Sequence, residues 1–348
     1  MPAGDVLGNE ANDLVAAADI GAEEAKRHTV DRSDSRLLHL VSRFGLLAAL
    51  GLIVVAFGLI RPDAFLSVGN LQSTAVIAAP LLILAAGLTV PLSLGEFDLA
   101  ITNSSQLSAA VMVTLISVFS FGWVGAVGVT ILGAAIVGGF IGFLIVKSHV
   151  NAFIITLGAG TIMAGVEFAV AGGATIFENV PVGFTDLATR KLLGIPFPVL
   201  IAVAFAVLVY LVMERTVAGR RMRAIGGSPE AARLSGVRVG QLRGLGFVAT
   251  GVAGVLAAVL ITAQASSYFP NAISAQLLPA YAACFLGTTV FRSNIFSIGG
   301  TIVGVVFLSV IQDGLIIIGV PSWTAQIVEG GLLIIAVVGA KLASRSLT

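Results

Sequence analysis

The feature that most constrains this chain is a succession of apolar segments, each about 20 residues long, that runs almost without a break from residue 44 onward. A bilayer core about 30 Å thick is crossed by a helix of about that length, because only a helix satisfies its own backbone hydrogen bonds where there is no water. Cutting at the polar, glycine and proline interruptions gives segments at 44–60, 71–93, 98–119, 123–146, 150–171, 197–213, 244–263, 276–291, 297–318 and 323–340. The expected fold class is an all-α polytopic membrane protein of about ten transmembrane helices. Composition agrees, with 57% of residues hydrophobic and 11% charged, where soluble domains carry about 25% charged residues. The 41 glycines suit helices that pack closely in lipid.

Charge placement orients the segments. With the N-terminus inside, ten crossings return the C-terminus inside, and all of the 19 Lys and Arg except Arg61, Arg190 and Lys191 fall on the inner side. The chain divides into a cytoplasmic tail over 1–43, a membrane domain over 44–340 with an inner loop at 214–243, and a cytoplasmic tail over 341–348. The first tail is polar and lacks the apolar stretch of a signal peptide; residues 11–27 suit either a short helix or an unordered segment. A net charge of +1 gives no electrostatic footprint for nucleic acid. Cys284 is the single cysteine, so no intrachain disulfide forms, and it reads as a packing thiol. His28, His39 and His149 stand in no ligand spacing, and no metal site is expected. The phosphate-binding pattern GxxxxGK[ST] does not occur, so any ATP chemistry must come from another polypeptide.

The inner loop reads AIGGSPEAARLSGVRVGQLR from Ala224 to Arg243 and carries start and stop signals for one short helix. Ser228 suits the N-cap, Pro229 the first helical position, and Glu230 the positive end of the helix dipole. Arg233 falls in the last turn, and Gly236 suits the left-handed residue that ends the helix. Two turns are marginal alone in water, so a defined helix here points to docking against another protein. A plain basic connector obeying the charge rule has the same composition, and spacing alone leaves both readings open.

Polar side chains inside the apolar segments are costly in lipid and mark cavities or pathways. PLSLGEFDLAITNSSQ, from Pro91 to Gln106, breaks a helix at Pro91 and Gly95 and then supplies Glu96, Asp98, Asn103, Ser104, Ser105 and Gln106. Non-helical backbone at this depth needs protein or water around it, which makes Glu96, Asp98, Asn103 and Ser104 pathway candidates. A structural break at the inner interface is the competing reading. Asp313, also a pathway candidate, shares with Glu167 and Glu329 two readings: a hydrogen bond to a neighbouring helix, or a proton relay. The outer segments Gly172 to Pro196 and Gln264 to Ala275 offer Glu178, Asp186, Arg190, Lys191 and Asn271 for polar contacts, and Asn271 is a further pathway candidate.

The inner-loop segment Ala224 to Val237, AIGGSPEAARLSGV, resembles the loop of ribose-type permease subunits of ATP-binding-cassette importers, in which AIGGNPEAARLSGI recurs. AFIITLG (Ala152 to Gly158) is similar to that family's PFIVTLG, FAVAGG (Phe168 to Gly173) to LLLTGG, and YFPNAIS (Tyr268 to Ser274) to its QPNAG region. Two stretches depart from the pattern: GEFDLAITN, where the family reads GGIDLSVGS, and Leu286 to Gly300, where it carries LGGTSLSGGRGS. The resemblance covers nearly everything after residue 44 and implies a multi-pass protein of a bacterial inner membrane that moves a sugar or sugar-like solute by alternating access.

It also implies that Pro229 to Gly236 is a coupling helix seated in a nucleotide-binding subunit, with Gly226, Gly227, Ser228, Pro229, Glu230, Arg233, Leu234 and Gly236 at the contact. The implied partners are ATPase subunits, which would hold ATP and Mg, a soluble solute-binding protein docked on the outer loops, and a second permease copy. No cofactor is expected on this chain, and it is expected not to be an enzyme. The competing classes are a proton-coupled secondary transporter using intramembrane carboxylates and a channel or scaffold needing no ATPase.

Overall fold

The computed structural model describes residues 45–290 and 295–345. The tail over 1–43, with His28, His39 and segment 11–27, lies outside the described residues, as do Arg292 and the side chains of Glu329, Lys341 and Arg345.

Each of the ten apolar segments carries a helix. The first is α1, Gly45–Ile60. The single turn α2, Pro62–Phe65, leads into α3, Val68–Ser93, whose N-cap Ser67 accepts a hydrogen bond from the Asn70 N–H at 3.1 Å. Then come α4, Ile101–Ser117, α5, Trp123–Ser148, and α6, Ala152–Ala171. His149 turns the chain left-handed after α5, and Asn151 caps α6 by accepting from the Phe153 N–H at 2.9 Å. After α8, Phe197–Tyr210, follow the long helix α11, Val239–Ala265, the short α12, Leu277–Gly287, then α13, Ile298–Ile317, and α14, Ser322–Arg345.

Six helices among the described residues are long and apolar enough to cross a membrane: α3, α5, α6, α8 with its following π turn, α11 and α13. At 1.5 Å per residue, α4 spans roughly 25 Å, and α12 is shorter still. Burial separates inner from outer helices. The apolar windows of α3 and α11 are 72% and 61% buried, those of α5 and α6 only 28% and 22%, so α3 and α11 form the heart of the bundle. The outer faces of α5 and α6 present Leu132, Ile136, Phe143, Ile154 and Ile162, as suits helices whose solvent is hydrocarbon.

The α5–α11 crossing shows why glycine is used here. A Cβ added to Gly142 would stand 2.6 Å from the Gly244 Cα, and one on Gly251 would stand 2.6 Å from the Ala134 carbonyl oxygen. The two backbones touch, which without a hydrophobic driving force between helices is how packing in lipid gains its contacts.

Two stretches differ from the sequence reading. The inner loop over 214–243 is largely helical rather than a connector with one short helix. Its start, Leu211–Arg215, continues α8 as a π turn; α9, Val217–Gly227, and α10, Pro229–Leu234, follow, and Arg243 already lies inside α11. Amphipathicity explains α9: Met222 and Ile225 are buried, while Arg220, Arg221 and Ala224 face outward. The segment Gly172 to Pro196 is also organised, with helix α7, Val182–Thr189, and a two-stranded hairpin pairing Lys191–Leu192 (β1) with Ile195–Pro196 (β2).

Candidate functional site

The α9–α10 hairpin is built from local signals. The Thr216 hydroxyl caps α9 by accepting from the Gly219 N–H at 3.2 Å. Arg223 lashes the helix back to the π turn, donating to Glu214 Oε1 at 2.7 Å and to the Met213 carbonyl at 2.6 Å. Ser228 ends α9 and starts α10, where its hydroxyl accepts from the Ala231 N–H at 3.3 Å and Pro229 takes the first turn. Glu230 and Arg233 occupy the expected ends, and Gly236 adopts φ +78°, the left-handed terminator. Only Ala232 of α10 is buried, and Leu234 is 86% exposed, so six capped residues project an apolar tip away from the bundle.

The C-terminal end of α9 lies on the break between α3 and α4. Gly226 abuts the Ser93 carbonyl so closely that a Cβ would collide with it, and Gly95, at φ +80°, faces Gly226 from the other side. Directly after that contact, Glu96 pairs with Arg243 on the second turn of α11, Oε1 to Nε 2.8 Å. Burial pushes the Glu96 carboxyl above its ordinary range, and the Arg243 charge offsets this only in part. Phe97, 41% exposed, stacks on Tyr281 and Phe285 of α12 at centroid distances of 6.1 and 6.4 Å. Asp98 is buried. Its Oδ1 accepts from the Ala100 N–H at 2.9 Å, and its Oδ2 accepts from the Thr250 hydroxyl of α11 at 2.5 Å. The neighbouring Leu99 N–H donates to Thr156 of α6 at 3.1 Å, so helices on both sides hold the break.

The first turns of α4 continue this polar column. Asn103 packs against Gly160 of α6, while Ser104 joins Asp98 and Thr250 around a cavity of about 10 Å³, the room of a single water molecule. The Ser105 hydroxyl donates to the Gly254 carbonyl at 2.5 Å. Gln106 does most: its Nε2 donates to the Phe269 carbonyl at 2.6 Å and its Oε1 accepts from the Ile273 N–H at 2.9 Å. One buried amide thus clasps both ends of the turn that carries Asn271, which is exposed with φ +60°. The same connection pairs through an isolated bridge, Ile176 with Tyr268, to the other segment at this end of the bundle.

The structure therefore brings Glu96, Asp98, Asn103 and Ser104 into one column and sets Asn271 over its far end. Asp313 stands apart, accepting from the Asn70 side chain at 2.7 Å where α3 begins, and Glu167 is buried in α6. Sequence reasoning missed Thr250, Arg243, Tyr281 and the clasping role of Gln106. An amide within an apolar segment is itself a signal, whereas nothing about Thr250 in GFVATGVAG announces a partner 152 residues away.

A bundle of long apolar helices with a polar break in its interior and a capped, projecting hairpin at one end of that break has the build of a polytopic membrane protein. The family model for the permease component of branched-chain amino acid transport systems matches residues 70–337. The chain belongs to that family: it is the permease subunit of an ATP-binding-cassette importer, a multi-pass inner-membrane protein. It is similar to the L-arabinose ABC transporter permease protein AraH of Azospirillum brasilense, 28% identical with 88% of this chain and 89% of the relative covered. The ribose import permease protein RbsC of Haemophilus influenzae is 28% identical over 83% of this chain and 90% of its own length. The autoinducer 2 import system permease protein LsrD of Yersinia enterocolitica is 35% identical over 62% and 66%. No solved structure matches the chain.

Proposed function

We propose that this permease carries a sugar or sugar-like solute inward by alternating access, driven by ATPase subunits that receive α10. The observation that carries the coupling is mechanical. The exposed, capped α10 and the α9 that bears it rest through Gly226 on the Ser93–Gly95 end of α3, next to the Glu96–Arg243 pair and the Asp98 break. Pushing α10 displaces a packed backbone contact, and close-packed interiors shift between discrete arrangements rather than deforming smoothly. The sugar assignment is supported by the relatives, whose names print L-arabinose, ribose and autoinducer 2.

In this reading the ten helices α1, α3 to α6, α8 and α11 to α14 all cross the membrane, and the hairpin end and both termini face the cytoplasm. Two copies form the pathway, and a soluble solute-binding protein docks where residues 172–196 and 266–276 meet. The chain itself performs no hydrolysis; ATP and Mg belong to the partner ATPase. The donors that fill Asp98 are the chain's own Thr250 and Ala100, which supports a positioning role for this carboxylate over that of a proton carrier.

The test is co-purification. The permease expressed with the nucleotide-binding subunit from its own gene neighbourhood should retain it in detergent, and Glu230→Lys or Gly236→Val should release it while the permease stays folded. Failure of the unsubstituted pair to associate overturns the proposal. Uptake of L-arabinose and D-ribose into proteoliposomes containing the full assembly then tests the cargo class.

A further inference from the structure

We propose that the pocket between α5, α7 and α8 is a binding site for the headgroup of a zwitterionic, primary-amine phospholipid of the phosphatidylethanolamine type. The pocket has a volume of about 260 Å³ and is lined by Trp123, Gly183, Asp186, Leu187, Arg190 and Phe197, whereas the interior cavity beside Asp98 is about 10 Å³. Its size falls just under the range of roughly 300 Å³ and upward of small-molecule sites, which suits a headgroup without its chains.

Its level in the membrane follows from its walls. Trp123 is the first residue of α5 and Phe197 the first of α8, both long apolar helices, so the pocket opens where hydrocarbon gives way to headgroups. The Trp123 indole, an apolar ring with one N–H donor, is an amphipathic anchor at that level. The Trp123 ring is fixed by an edge-on contact with the buried Phe184, centroids 6.3 Å apart. Gly183 leaves room for its indole nitrogen, since a Cβ there would stand 3.1 Å from Nε1. Val124 of α5 and Val203 and Val207 of α8 are exposed, so the helices that start at the pocket carry apolar surface for acyl chains.

The charges select the headgroup. Asp186 and Arg190 face the same pocket and touch through one carboxylate oxygen, Nη2 to Oδ2 2.7 Å. That leaves Oδ1 of Asp186 as an acceptor and most of the guanidinium's five N–H groups as donors. The Arg190 side chain is 70% exposed, so the guanidinium can take a phosphate while Asp186 accepts from an ammonium on the same molecule. An anionic glycerol headgroup can set its phosphate on Arg190 as well but offers Asp186 only neutral hydroxyl donors, without the charge assistance of an ammonium, and a choline ammonium has no N–H to donate. The 172–196 segment meets the 266–276 connection at Ile176 and Tyr268, so a protein docked at that junction leaves the α7 part of the segment, with Asp186 and Arg190, to a lipid.

The outer-leaflet placement rests on the side assignment given above; the choice of headgroup does not, so side and headgroup are tested separately. The full-length permease in its assembly is equilibrated in detergent with phosphatidylethanolamine, phosphatidylcholine and phosphatidylglycerol of matched chains, and retained lipid is counted by native mass spectrometry. The ethanolamine lipid should be retained roughly tenfold over the other two, the difference of about one charge-assisted hydrogen bond. Asp186→Asn should level ethanolamine with choline, and Arg190→Gln should lower retention of all three. Asp186→Glu should restore the preference, separating loss of the acceptor from misfolding. Equal retention of the three lipids, a preference that survives both substitutions, or retention of chainless glycerophosphoethanolamine in place of the lipid at equal concentration, which would mean a soluble ligand, each overturns the proposal.

Discussion

Asp98 illustrates how a charged residue is kept inside an apolar bundle. Burying a carboxylate is costly unless its oxygens are hydrogen-bonded, and here one oxygen belongs to the start of α4 and the other to Thr250 of α11. Thr250→Val keeps the shape and removes one donor, so it should cost about 2 kcal/mol of stability in chemical denaturation of the purified chain. Asp98→Asn should cost less in the Thr250→Val background than alone, because the amide no longer demands that partner; additive effects would show that the two side chains do not interact. Asp98 was legible in the sequence as a site because a carboxylate in an apolar segment is anomalous by itself. Thr250 was not, since a lone threonine among small residues fits any membrane helix, and only folding reveals what it faces.

At the scale of elements, two contacts hold the mechanism together. The first is α9 against the end of α3. Gly226→Ala would drive a methyl into the Ser93 carbonyl, with a strain of about 1–3 kcal/mol. ATP hydrolysis and association with the ATPase should persist while solute uptake falls. Gly128→Ala, where an added Cβ meets nothing within 4 Å, should leave uptake within about twofold. The second contact is the Gln106 clasp. Gln106→Leu removes both hydrogen bonds to the 266–276 connection, so in Asn271→Cys protein it should speed labelling by a water-soluble maleimide; an unchanged rate would show that other contacts hold the turn. The α10 caps were legible because Ser228, Pro229 and Gly236 act within one turn. Helix α9 was not read as a helix, since a run of arginines between spans looks like a solvated connector until its buried Met222 and Ile225 are seen to dock.

For the whole molecule, the orientation is open to direct measurement. Leu193 is 95% exposed and Leu234 is 86% exposed, and they lie on either side of α8 in the chain. The native Cys284 is buried, so background labelling should be low. An impermeant maleimide added to intact spheroplasts should label the Leu193→Cys protein at once and the Leu234→Cys protein only after permeabilisation. The opposite pattern would invert the topology and place the hairpin out of reach of any cytoplasmic ATPase.

The helical class, the positions of the ten apolar segments to within a few residues, and the caps of α10 are readable from the chain alone. All of these follow from short-range rules: backbone hydrogen bonds must be satisfied locally in lipid, and capping acts between residues one to three apart. Which polar residues meet is settled by folding. It put Gln106 onto a turn more than 160 residues away and Thr250 onto Asp98, and it left Asp313 with Asn70 at the start of α3. Those pairings depend on which helix faces which, set by close backbone crossings such as α5 on α11, and no local pattern encodes them.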